Sequence, residues 1–294
     1  MRALVVGGSG FVGSHVADAL SAAGHETTVM DRARSPWLRE GQGFVEADLT
    51  DADAVVAAVA GHDVVYNFGG IADIDAARKV PVDTVRINVL GNVHVLEACR
   101  LAGVKRYVFA SSIYVASEAG SFYRVSKQAC ELYIEEYRRE HGLDYTILRY
   151  GTLYGRRATD DNSVHRYLRQ ALRERRIEAT GTGEELREYI HVDDAARLSV
   201  QILDEEFANE QVVLTGHHPM RYADVLRLIR EIVGEDVVVE LTPPGAGTSA
   251  HYSITPYTFR PRLARKLVSP WYVDMGQGLV DCLDEIAAVA PADG

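Results

Sequence analysis

The chain carries three cysteines in 294 residues, Cys99, Cys130 and Cys282. So sparse, odd and widely spaced a set supplies no disulfide framework and no metal-ligand spacing, so a stapled secreted fold and a metal centre are both disfavoured. Cys99 and Cys130 fall in helical patterns, where a reduced thiol acts as a small buried hydrophobe. Positive charge is also short. Thirty-one Lys and Arg against 42 Asp and Glu leave a net charge of −11, which argues against nucleic acid as the main partner. No apolar run approaches the roughly 18 residues of a membrane span, and no secretory apolar segment precedes the first strand. Internal repeats and low-complexity tracts are missing too. What is left is a chain 47% apolar, expected in the cytoplasm and away from membranes. Its length suits one large α/β domain, or one domain with a small lobe.

Strand and helix patterns alternate with short links, which predicts a parallel sheet with helices on both faces. Strands are expected at 2–6, 26–31, 43–47, 63–68, 105–111 and 144–149, with helices at 11–23, 51–60, 83–102 and 123–141 between them. Beyond Tyr150 the pattern loosens. Helices near 163–175, 193–205, 221–233 and 276–289 mix with strand-like pieces such as 211–215 and 237–241, and Thr242–Thr248 is a loop by composition. His217-His218 lacks a partner at metal-ligand spacing and reads as loop surface.

The first strand runs straight into Gly7-Gly-Ser-Gly-Phe-Val-Gly13 and then a helix. A strand, a glycine turn and a helix are what a dinucleotide needs: Gly7, Gly10 and Gly13 let backbone approach a pyrophosphate, and the helix start at Phe11 and Val12 offers N–H groups. Asp31 closes the next strand, 18 residues past Gly13, where a carboxylate can accept both ribose hydroxyls. That acid would repel a 2′-phosphate, so NAD is the expected cofactor. Adjacent Arg32 leaves a case for NADP. The expected fold is a Rossmann-type doubly wound sheet over 1–150, with part of 185–215 returning to it. Residues 151–294 mainly form a smaller substrate-binding α/β lobe over the carboxyl ends of the strands.

Tyr123 and Lys127 stand four residues apart at the start of a predicted helix, on one face. A phenol titrates near ~10, and an ammonium ~4 Å away favours the phenolate by up to ~4 kcal/mol at an effective dielectric of ~20. The pair can therefore serve as a general acid/base. With fifteen Tyr and four Lys, about 0.2 such spacings arise by chance, so the motif needs its structural context.

Taken with Asp48-Leu49, Asn88-Val-Leu-Gly-Asn92, Phe109-Ala-Ser-Ser112, Leu148-Arg-Tyr150, Tyr154-Gly155 and Arg187-Glu-Tyr-Ile-His-Val-Asp-Asp194, these motifs cover nearly the whole chain. In that order they resemble the extended short-chain dehydrogenase/reductase superfamily, in its nucleotide-sugar epimerase/dehydratase branch. The resemblance implies that Ser112 hydrogen-bonds the reacting hydroxyl, Tyr123 exchanges its proton, and Lys127 binds the nicotinamide ribose while lowering the tyrosine pKa. It places Asp48 and Leu49 at the adenine, Phe68, Gly69, Gly70 and Asn88 on the cofactor side, and Tyr150 beside the nicotinamide. Arg187 would grip a sugar-nucleotide diphosphate. Thr152 stands among the substrate contacts, where an asparagine is usual. His191, Asp193 and Asp194 are read as structural, with an aspartate capping the following helix.

The departures narrow the reaction. Sugar 4,6-dehydratases carry an Asp-Glu pair directly after the serine or threonine, and nucleotide-sugar decarboxylases a glutamate, where this chain has Ile113-Tyr114. The stretch from Ser112 to Tyr123 is short, so a loop that helps cover the sugar is nearly absent. The expectation is an NAD-dependent nucleotide-sugar epimerase, acting at C4 of a UDP-hexose through a 4-keto sugar. A reductase or dehydrogenase of the same superfamily, and a non-catalytic dinucleotide-binding protein, stay open. The resemblance also implies a homodimer paired through 83–102 and 123–141, with Val89, Val93, Leu96, Ala129, Leu132 and Tyr133 as contacts if they do not face the sheet.

Overall fold

The computed structural model describes residues 1–243, 251–256 and 265–289; the predicted loop beyond Pro243 lies outside them. In the amino-terminal half the strands are β1 (Arg2–Val6), β2 (Glu26–Asp31), β3 (Gly43–Glu46), β4 (Val64–Asn67), β5 (Arg106–Ser112) and β6 (Tyr145–Tyr150). The helices between them are α1 (Phe11–Ala22), α2 (Ala52–Val59), α3 (Ile74–Lys79), α4 (Pro81–Thr84), α5 (Gly91–Ala102) and α6 (Ser121–His141). Then follow β7 (Thr152–Tyr154), α7 (Ser163–Glu174), β8 (Arg176–Thr180), β9 (Leu186–His191), α8 (Val192–Gln201) and β10 (Glu210–Leu214). Last come β11 (Pro219–Arg221), α9 (Tyr222–Val233), β12 (Val238–Thr242), β13 (Arg265–Lys266) and α10 (Met275–Val289).

Eight strands form one parallel sheet in the order β13-β10-β6-β5-β4-β1-β2-β3. Its central strands read as unbroken apolar runs because both faces are covered. Leu4, Val6, Val65, Phe109 and Ile147 point to one side, against α2, α5 and α6. Their neighbours Ala3, Val5, Val64, Val108 and Leu148 point to the other, against α1 and α8. The period of two thus loads each face separately. β10 and β13 extend the same sheet beyond β6. A third core, with Tyr167, Leu168, Ile177, Leu226 and Ile229, unites α7, α9, α10 and β8.

The helix expected at 83–102 contains a π-helical turn, Val85–Leu90, between α4 and α5. Such turns cluster at functional sites, and this one carries Asn88 to the end of the sheet. Of the residues considered for a dimer face, Leu96 is wholly buried against the sheet and Val89 packs on the same core. Leu132 and Tyr133 are exposed.

Candidate active site

At the carboxyl end of β1 the chain turns through the glycine segment. Gly7 has φ +73°, and a Cβ there would meet Gly69 N at 2.6 Å. A Cβ on Gly13 would sit 2.4 Å from Gly7 O, so α1 approaches the turn only because both lack side chains. Gly10 is the N-cap of α1 and makes no side-chain cap, and Gly10 N–H donates to Gly7 O. The N–H groups of Phe11, Val12 and Gly13 begin the helix without an intrahelical acceptor. This end has free donors, a positive dipole and no acid in its first turn, so it suits a pyrophosphate.

The adjoining cleft is lined by Gly7, Gly10, Asp31, Arg32, Asp48, Leu49, Phe68, Gly69 and Gly70 of the expected set. Val6, Met30, Ala47, Thr50, Ile71, Arg86 and Ile87 complete it and were missed. Asp31 accepts the N–H of Ser9 at 3.0 Å and of Arg32 at 2.7 Å, so the acid also braces the glycine turn. Asp48 accepts the Thr50 N–H and hydroxyl, and these bonds hold its carboxyl below the usual range.

Two expected cofactor residues have side chains bonded within the fold. Asn88 is buried, and its side chain is spent on structure: Oδ1 accepts Ile71 N–H at 2.7 Å, while Nδ2 donates to Ile71 O and to Ser126 Oγ. It clamps the Gly70–Ile71 cleft wall to α6 from behind. Tyr150 packs its ring 6.1 Å from that of Phe68, but its hydroxyl bonds Ser199 of α8 at 2.6 Å.

Ser112, Tyr123 and Lys127 do converge. Ser112 ends β5, and its hydroxyl acts on the phenol of Tyr123, which lies in the first turn of α6. Lys127 is buried, with Nζ donating to Ala110 O at 2.7 Å and lying 4.7 Å from the Phe109 ring centre. The expected depression of the tyrosine pKa is not found here. Burial pushes Tyr123 up to about 12, and only the Ser112 hydrogen bond pulls the other way. Lys127 Nζ stands 5.8 Å from the Tyr123 ring centre and faces a carbonyl, and its own pKa is lowered by burial. Desolvation therefore outweighs the cation.

Beneath this triad Ser111 donates to Glu131 Oε1 at 2.6 Å, and Arg149 makes a two-pronged bond to the same carboxylate at 3.0 and 2.7 Å. Arg149 also reaches Gln211 at 2.6 Å, so β5, β6, α6 and β10 are tied together directly under the reacting end. Sequence reasoning missed this network, although Glu131 lies one turn past Lys127.

A second wall comes from the carboxyl-terminal part. Arg187 on β9 donates to Tyr252 O at 3.0 Å and sits 4.8 Å from the Tyr252 ring centre. Thr152 Oγ1 bonds the Tyr252 hydroxyl at 3.1 Å. The Tyr252 ring packs 4.7 Å from that of Tyr114, and Tyr114 Oη lies 2.7 Å from His251 Nδ1. Residues 251–252 thus cover the short Ser112–Tyr123 stretch. Tyr114 was visible two residues past Ser112, but His251 and Tyr252 carry no local pattern that places them here.

The cap of α8 also differs from the reading. His191, not an aspartate, is the N-cap and accepts Asp193 N–H at 3.3 Å. Asp193 instead pairs with His15 of α1 at 2.8 Å, and Asp194 accepts Val273 N–H at 2.8 Å and pairs with Arg197. His217 packs its ring 4.7 Å from that of Tyr272. Among the described residues no group of three or more His, Cys, Asp or Glu could hold a metal ion, and no helix is long and apolar enough to cross a membrane.

Comparison with known proteins gives this geometry its relatives. A family model described as NAD dependent epimerase/dehydratase family matches residues 3–215. A dTDP-glucose 4,6-dehydratase from Mycolicibacterium smegmatis is 27% identical over 97% of this chain and 92% of its own. The solved UDP-glucose 4-epimerase of Thermotoga maritima, with UDP-glucose, is 25% identical at TM-score 0.84, covering 98% of this chain and 99% of that one. The Thermus thermophilus UDP-glucose 4-epimerase, in complex with NAD, is 26% identical at TM-score 0.82, covering 99% and 100%.

Proposed function

The chain belongs to the NAD dependent epimerase/dehydratase family, and on that premise we propose that it is a nucleotide-sugar 4-epimerase that works on a UDP-hexose through a transient 4-keto sugar. The observation that carries this reading is the convergence of Ser112 on the Tyr123 phenol beside buried Lys127, with Ile113 and Tyr114 in the two places after Ser112. Those places hold no carboxylate to drive loss of water or carbon dioxide. Four-epimerisation asks for one proton-exchanging group at one oxygen.

NAD fits the cleft through the uncapped start of α1, the glycine turn and the Asp31 carboxylate. Bound there, it supplies a hydride acceptor that returns the hydride, together with a positive charge near the phenol. The chain does the rest. Tyr123 Oη exchanges the proton of the sugar hydroxyl, and Ser112 Oγ holds that oxygen in line. Lys127 Nζ, fixed by Ala110 O, stands where it can meet the cofactor ribose. Arg187 and Thr152, joined through Tyr252, are the contacts for diphosphate and sugar. Because burial leaves Tyr123 a phenol, its proton-accepting turn depends on cationic charge brought to the site.

The test is incubation of the purified protein with UDP-glucose, UDP-galactose and their N-acetyl and uronic acid forms. One pair should interconvert without net formation of NADH. Interconversion of none would remove the proposal, and steady NADH consumption or release would identify a reductase or dehydrogenase instead.

A further inference from the structure

Three consecutive residues end β5, and each is tied to a different turn of α6. Ala110 O accepts Lys127 Nζ at 2.7 Å, Ser111 Oγ donates to Glu131 Oε1 at 2.6 Å, and the Ser112 hydroxyl acts on the Tyr123 phenol. The middle tie joins two residues that hydride transfer does not use. Side chains alternate along a strand, so Ser111 faces α6 on the side of Phe109, and it is buried. Its acceptor is itself held fast. Arg149 grips the Glu131 carboxylate at 3.0 and 2.7 Å, Gln211 Oε1 accepts from Arg149 at 2.6 Å, and Gln211 Nε2 donates to Glu135 Oε1 at 2.9 Å. A hydroxyl bonded to a carboxylate makes a short, strong bond. A buried ion pair is a costly way to pin a strand, since apolar side chains of similar volume often do as well. One residue further on, Ser112 Oγ accepts the Tyr114 N–H at 3.3 Å.

We propose that Ser111 is a positioning residue of this site: bonded to the Glu131–Arg149 pair, it fixes the end of β5 so that the Ser112 hydroxyl meets the Tyr123 phenol and the sugar oxygen in one arrangement. The inference rests on the 4-epimerase reading above, in which Ser111 itself meets neither sugar nor cofactor. Proton and hydride transfer are sensitive to placement, and a displacement of about 1 Å caused away from the reacting atoms can cost about 10²-fold.

The test is Ser111→Ala in the full chain loaded with NAD, assayed on the UDP-sugar pair that the unmodified protein interconverts. Expected is a fall in kcat of about 10²-fold, with KM and the affinity and stoichiometry of NAD unchanged. The pH profile separates misplacement from a loss of folded protein. Ser112 is what draws the buried Tyr123 phenol down; the other titratable groups at its ring are Lys127 of α6, 5.8 Å from the ring centre, and Tyr114, with 6.4 Å between rings. With Ser112 out of place the phenolate is less favoured, so the limb on which kcat rises with pH should move to higher pH. The double variant Glu131→Leu with Arg149→Met removes the acceptor of Ser111 and fills its space with apolar side chains. It should show the same loss of kcat and the same displaced limb, and it decides the matter if Ser111→Ala does not fold. Unchanged kcat in the folded variants overturns the inference and leaves the 4-epimerase reading standing. A lower kcat with an unmoved limb and less NAD-binding protein also overturns it, making the network only a support for the fold. Interconversion of no sugar pair by the unmodified protein removes that reading and the inference with it.

Discussion

Tyr123→Phe removes one hydroxyl and leaves the ring that packs on Tyr114 and stands over Lys127. Folding and NAD binding should persist, as seen by thermal shift with and without NAD, while epimerase turnover falls about 10²–10⁴-fold. Near-full turnover would move the proton to another group, with Ser112 next in line. Asp31 makes a second residue-scale case, because its carboxylate both faces the cleft and braces Ser9. Asp31→Ser should weaken NAD and strengthen NADP, since the like charge opposing a 2′-phosphate is gone and Arg32 remains. Titration of both dinucleotides measures this. Equal binding of the two by the unmodified protein would show that Arg32 already governs the choice.

At the scale of elements, α6 is held in register by the buried Glu131–Arg149 pair rather than by apolar packing alone. Glu131→Gln leaves a buried guanidinium without its counter-charge, which costs about 3–5 kcal/mol. Urea unfolding should show that loss, and the double change Glu131→Leu with Arg149→Met should recover much of it; an unchanged midpoint for Glu131→Gln would mean the pair is neutral to stability. The elements also show what the sequence could reveal. β1, β2 and β4 to β6, with α1, α2 and α6, were legible because strands inside a covered sheet are largely apolar and a helix on such a sheet must be striped; the edge strand β3, with no buried residue, was marked only by Phe44 and Val45. Ser112, Tyr123 and Lys127 were legible because their spacing is local. β7, β11 and β13 are three residues or fewer, and long-range pairing alone makes them strands. The Tyr123 pKa escaped for a related reason: an i, i+4 spacing brings two groups together without saying how much water is lost around them.

Among the described residues, an apolar stretch of the outer surface is left unused by the core. Val82, Val85, Phe122, Val125, Leu132 and Tyr133 are exposed on α4, the π-helical turn and α6, which pack together. We propose a homodimer through this face, which shares Leu132 and Tyr133 with the contacts the resemblance implied, and a monomer by light scattering at micromolar concentration would contradict it. Stability should also depend on acid. Burial is the largest influence on His165 and His191, and it holds each below its free value of 6.5. The unfolded chain therefore takes up these protons first. The contribution is fully present above the free value and is lost as pH falls through it toward the lowered folded values. Urea midpoints should drop between pH about 7.5 and about 5.5, on either side of the free imidazole value. Equal midpoints would show that these rings are solvated in the native state.

The return of β10 and then β13 to the main sheet carries a consequence for biosynthesis. A ribosome releases the glycine turn, Asp31 and the Ser112–Lys127 segment long before Tyr252 and Lys266. A nascent chain can gather a sheet around β1, β4, β5 and β6 while its edge beyond β6 still waits for strands not yet made. The edge of β6 is then an open template for other chains. Vectorial synthesis thus gives this protein an interval in which the dinucleotide cradle exists without the residues that pack on Tyr114 and Arg187, and that interval ends when β10, then residues 251–255 and β13, come off the ribosome and pair.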